Sequence, residues 1–131
     1  MNVLIVEDQE CMRRALCDYV KSAYPHFQVH EAENGAQALA ISREIGPGIV
    51  LMDVQLPDAN GLHVTLQVKE LSPSTEVIII SQHDAQPYID QSRAVGAAAY
   101  INKNRVFEEL RPAIERALCL LGANCGSGAA K

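Results

Sequence analysis

A chain of 131 residues, 48% hydrophobic and 21% charged, suits a single domain with one real core. The net charge of −5, with acids and bases interspersed, argues against a domain that itself grips DNA or an anionic membrane. Aromatic residues reach only 5% and Trp is absent, which argues against a stacking platform for single-stranded nucleic acid.

The four cysteines, Cys11, Cys17, Cys119 and Cys125, make no C-x-x-C pair and no zinc-spaced Cys/His cluster. No apolar run approaches the roughly 18 residues of a membrane span. The N-terminus lacks the basic start and cleavage-like site of a signal peptide. The expectation is a reduced, soluble, cytoplasmic protein.

Residues 2–6 are almost all apolar, as in a strand buried on both faces. Residues 9–23 set Met12, Leu16, Tyr19 and Val20 at helical spacing and leave Arg13, Arg14 and Asp18 elsewhere on the wheel. Cys11 reads as a partly buried helix thiol. After Pro25, residues 27–31 alternate like an edge strand, and an Ala-rich helix over 35–45 follows, closed by Gly46-Pro47-Gly48. Residues 49–53 are a third strand, and 56–61 form a dense turn signal. A helix over about 62–71, a strand over 76–81, a weaker helix over 85–95 and a short strand over 98–101 complete the middle. The last helix, about 105–120, should bury Val106, Phe107, Leu110, Ile114, Ala117, Leu118 and Leu121, with Pro112 in or near its first turn. Residues 122–131 are small and read as a flexible linker or tail, leading to an output domain outside this chain.

The order is (βα)5, which implies an α/β fold: a doubly wound, flavodoxin-like parallel sheet of five strands. The strand order 2-1-3-4-5 places a switch point between the first and third strands, where ligands bind at the carboxyl ends. Four polar sites fall at strand ends: Glu7-Asp8, Asp53, Ser81 and Lys103. Singly, each is more often structural, as a helix-start acid, a loop carboxylate, a turn hydroxyl or a surface charge. Together they suit phosphoryl transfer. Convergent carboxylates call for a cation, hard oxygen ligands suit Mg²⁺, and a carboxylate can itself be the nucleophile.

Val6-Glu7-Asp8, Met52 through Pro57 with Asn60-Gly61-Leu62, Ile79-Ile80-Ser81, and Gly96-Ala97 through Tyr100-Ile101-Asn102-Lys103 resemble the receiver domain of two-component response regulators, the CheY-like superfamily. The resemblance covers residues 1–121, and the NarL/FixJ type is the most similar. It implies that Asp53 is the phosphoacceptor for a sensor histidine kinase. It implies that Glu7, Asp8, Asp53 and the Gln55 backbone carbonyl hold Mg²⁺, with Mn²⁺ as a substitute. Lys103 would contact the phosphoryl oxygens, and Ser81 and Tyr100 would act as the switch pair. Such a domain is not a turnover enzyme beyond its own phosphorylation and dephosphorylation. Its partners are an output domain, commonly transcriptional, and a second copy on phosphorylation. It would make no direct nucleic-acid or membrane contact.

The chain departs from the commoner pattern in its Glu-Asp pair and in Asn104, where many receivers carry Pro. Gln55 and His83 hold the two variable positions that tune dephosphorylation in this family. His83 reads as a solvated loop residue, with a proton shuttle as the alternative. His26, His30 and His63 read as surface or edge residues. A stand-alone receiver is the alternative to a transcriptional one. A haloacid-dehalogenase-type phosphatase would need a second acid where Gln55 stands. A nucleotide-binding domain would need a glycine-rich loop after a strand.

Overall fold

The computed structural model describes residues 1–82 and 86–122. Strands β1 (Asn2–Val6), β2 (Gln28–Ala32), β3 (Ile49–Asp53), β4 (Glu76–Ser81) and β5 (Ala99–Asn102) alternate with helices α1 (Glu10–Ala23), α2 (Gly35–Ile45), α3 (Gly61–Leu71), α4 (Gln86–Ala94) and α5 (Val106–Leu120). The strands pair in parallel in the order β2-β1-β3-β4-β5, so the (βα)5 doubly wound architecture is the one expected.

The continuous apolar runs have a simple cause. Alternate side chains of one strand enter two different cores. Val3, Ile5, Ile49, Leu51, Ile78 and Ile80 pack with Leu16 and Val20 of α1 and with Leu110 and Ile114 of α5. Leu4, Val6, Val50, Met52, Val77 and Ile79 pack with Ala38 of α2 and with Val64 and Val68 of α3. Each fully buried aliphatic of this size contributes about 1.5–3 kcal/mol before entropy is counted. Register then sets the site, because Val6 lies opposite Met52, Asp53 opposite Ile80 and Ser81 opposite Asn102.

Three local expectations need correction. Pro112 lies inside α5, beyond its first turn. It is tolerated because it sits on the exposed side, where the Glu108 carbonyl that loses its partner can be hydrated. Phe107 is not core. The inward stripe of α5 is Val106, Leu110, Ala113, Ile114 and Ala117, which leaves Phe107 at the stripe's edge, 45% exposed and against the Tyr19 ring at 5.8 Å. Cys11 is exposed rather than partly buried, while Cys17 takes the buried position. Burial pushes the Cys17 thiol up to about 11, as for an inert core thiol. The readings of His83 and of the tail beyond Gly122 lie outside the described residues.

Candidate functional site

Glu7 is the first residue beyond β1. Its N–H donates to the Ala32 carbonyl at 3.0 Å, and its Oε2 accepts from the Gln9 N–H at 3.0 Å. Asp53 is the last residue of β3, and its Oδ1 accepts from the Gln55 N–H at 3.2 Å. Lys103 follows β5 and reaches back across the sheet edge. Its Nζ stands 2.9 Å from Glu7 Oε1 and 3.2 Å from Asp53 Oδ2. Glu7 and Asp53 are 1% and 4% exposed, whereas Asp8 is open to solvent. One oxygen from each of Glu7, Asp8 and Asp53 lies within 4.8 Å of the others.

Three carboxylates against one ammonium leave two excess negative charges in a mostly buried place when all are ionised. The strain shows at Glu7, whose carboxyl is pushed above its ordinary value by burial. The Gln9 N–H and Lys103 oppose that push, and the Asp53 charge adds to it. Lys103 loses solvation on burial, but the Glu7 and Asp53 carboxylates hold its ammonium above the ordinary lysine value.

The donor set fits a divalent cation. Glu7 Oε1 is buried and takes no directed hydrogen bond, although Lys103 is close enough for an ion pair. It therefore keeps unused lone-pair capacity. Hard oxygens on one open side, contributed by Asp8, suit an ion that retains several waters. The cluster could coordinate such an ion.

The loop between β3 and α3 has its own supports. A Cβ on Gly61 would lie 2.0 Å from the Asp53 carbonyl oxygen, so only glycine lets α3 start against the backbone of Asp53. The Gly61 N–H donates to Val54 O at 2.7 Å, and Asn60 caps the helix by accepting from the Leu62 N–H at 2.8 Å. Asp58 reaches across to α2, where it accepts from the N–H groups of Gly35 (2.8 Å) and Ala36 (3.0 Å). Beyond β5, Asn102 caps a 3-10 turn over Lys103–Arg105, accepting from the Asn104 N–H at 2.8 Å.

The remaining predicted residues lie farther along the same edge. Ser81, 1% exposed, ends β4 one step beyond the partner of Asp53. Tyr100 on β5 is half-buried beside Ile89 of α4, in a cleft of about 390 Å³ that Arg105 and Glu109 also line. Gln55 is exposed and forms an isolated bridge with Asn60.

One residue that matters here was missed. Arg13, assigned by periodicity to the outer face of α1, is 9% exposed and donates through Nη1 to the Glu7 carbonyl and through Nε to Glu31 Oε1, both at 2.9 Å. Helical spacing alone could not show this, because the partners lie on β2 and at the end of β1. The charge of Glu31 at an edge-strand end was the available signal.

Flavodoxin-like sheets serve many functions, and the residues at the switch-point edge distinguish them. Here that edge carries clustered acids and an ammonium, the CheY-like version of the fold. The response regulator receiver domain model matches residues 3–115, and the chain belongs to that family. It is a receiver domain with a clustered acidic site.

Its relatives are varied. It is 36% identical, over 90% of its length, to a cyclic di-GMP phosphodiesterase of Thermotoga maritima, of which it covers 31%. It is 32% identical to the sporulation initiation phosphotransferase F of Bacillus subtilis, with 90% of this chain and 94% of that protein covered. The solved structure of a LuxR-family DNA-binding response regulator from Staphylococcus aureus superposes with a TM-score of 0.81 at 26% identity, covering 88% of this chain and 97% of the other. The chain spans about half the length, or less, of most of the curated relatives it matches.

Proposed function

We propose that residues 1–121 receive a phosphoryl group on Asp53 from the phosphohistidine of a sensor kinase, and that the domain relays this to a transcriptional output. The observation that carries the reading is the Asp53 carboxylate, nearly buried, 3.2 Å from Lys103 and within 4.8 Å of the Glu7 and Asp8 carboxylate oxygens. A bond forms between an Asp53 carboxylate oxygen and phosphorus as the P–N bond breaks. The electron pair leaves on the imidazole nitrogen, which takes up a proton.

Glu7, Asp8, Asp53 and the Gln55 backbone carbonyl are the residues that would hold Mg²⁺, with Mn²⁺ as a substitute. When bound, the ion offsets the charge that gathers on the phosphoryl oxygens. Lys103, already held between the two acids, turns its ammonium to the new phosphoryl group. Ser81 donates its hydroxyl to the same group, and Tyr100 follows into the space beside β4. That movement alters the face of α4, β5 and α5, where a second copy or an output domain would engage.

A transcriptional output is supported by several half-length matches to transcriptional regulators. A cytoplasmic location goes with that reading. Among the described residues, no helix is long and apolar enough to cross a membrane. A stand-alone receiver is the second reading, supported by the match that spans 94% of the sporulation initiation phosphotransferase F of Bacillus subtilis.

The test is incubation with Mg²⁺ and acetyl phosphate, followed by peptide mapping. One phosphoryl group on Asp53, lost on chelation and absent from Asp53→Ala, is expected. No adduct, or an adduct elsewhere, would overturn the reading.

A further inference from the structure

We propose that Arg13 is a positioning residue for the acidic pair and sets the divalent-cation affinity of the site through the Glu7–Asp8 peptide. The proposal rests on the metal site proposed above. Arg13 is 9% exposed as a whole residue, its guanidinium is paired on two sides, and both partners bear on the site. Nε meets Glu31 on β2, one strand away from β1, and Nη1 takes the Glu7 carbonyl.

That carbonyl belongs to the peptide linking Glu7 to Asp8. The other polar groups of Glu7 have neighbours of their own: its N–H donates to the Ala32 carbonyl, its Oε2 accepts from the Gln9 N–H, and its Oε1 lies in ion-pair range of Lys103 with lone-pair capacity to spare. The Arg13 backbone N–H also closes the first turn of α1 on the Gln9 carbonyl at 2.9 Å. Arg13 therefore fixes the plane from which the exposed Asp8 side chain departs. Its planar fork spans β2 and the β1 end at one fixed spacing, which a lysine ammonium cannot reproduce.

This role is separable from simple electrostatics. Arg13 is a positive charge near a cation site, so deleting it should tighten cation binding if charge alone matters. Loss of positioning should weaken it, by roughly 10-fold on the scale of outer-shell substitutions.

Mg²⁺ binding to the unphosphorylated protein is measured by isothermal titration calorimetry, with paramagnetic broadening by Mn²⁺ as a second readout. Arg13→Met is expected to weaken affinity about 10-fold, with Arg13→Lys and Glu31→Gln in between. Thermal melting of each variant reports the fold, and Glu31→Gln and Arg13→Lys decide the matter should Arg13→Met not fold. Unchanged or tighter Mg²⁺ binding in the folded variants overturns this proposal while leaving the receiver reading intact. A wild-type protein that binds no Mg²⁺ overturns the metal site itself.

Discussion

The two halves of the sheet edge are built differently. On the side of β1 and β3, every residue of β3 is buried, Glu7 is held from four directions, and Gly61 brings α3 hard against the Asp53 backbone. On the side of β5 and α4, only Ile101 of β5 is buried, and α4 buries Ser92 alone, where α5 buries five residues. Phosphoryl chemistry depends on fixed positions, and a response to it depends on an element that rearranges at low cost. On the proposed function, the contrast would let one small domain do both, with Ser81 at the end of β4 and Tyr100 on β5 lying between the two halves.

The largest expected break is on the tight side. Gly61→Ala forces a methyl into the Asp53 backbone and should cost about 3 kcal/mol, read as a lower urea midpoint. A near-neutral result would mean that the close approach of α3 is not needed. Lys103→Met removes the ammonium that stands between two buried acids and should destabilise the metal-free protein by about 3 kcal/mol. Millimolar Mg²⁺ should restore part of the loss in a thermal melt, because the ion replaces the missing charge.

A smaller effect concerns the loop that carries the site. The N–H groups of Gly35 and Ala36 hold the Asp58 carboxyl below its ordinary 3.8. A depressed carboxyl stabilises the fold above its unfolded value, and that contribution disappears as pH falls through the lower folded value. Asp58→Asn should therefore lower stability at neutral pH and flatten the acid limb below about pH 4, measured by denaturation against pH. An unchanged acid limb would contradict the tertiary cap. The smallest effect belongs to the loose side. Ile89 is half-buried, so Ile89→Ala should cost about 1 kcal/mol, and α4 amides should exchange faster than those of α5.

The doubly wound order and the acids at strand ends were legible in the sequence because burial on both faces writes uninterrupted apolar runs, such as Ile49 to Met52. What escaped were features set by contacts between elements. Arg13 looked like a surface residue because its partners come from β2 and the β1 end. Asp58 looked like an ordinary turn acid because the helix it caps begins 23 residues earlier. Phe107 reads as core because one position of helix rotation separates it from Val106, and the inward stripe runs through Val106, Leu110, Ala113, Ile114 and Ala117 instead. The resemblance supplied the roles of Ser81 and Tyr100, which their neighbours alone do not indicate.

The central claim is that chemistry fixed at Asp53 shifts the loosely held α4–β5 face. Hydrogen exchange on the whole chain, with and without Mg²⁺ and beryllofluoride, tests it most directly. The account predicts that the adduct changes amide protection in α4 and β5 while β1 and β3 stay protected, and that Asp53→Asn abolishes the change. An adduct on Asp53 that leaves α4 and β5 as they were would contradict it.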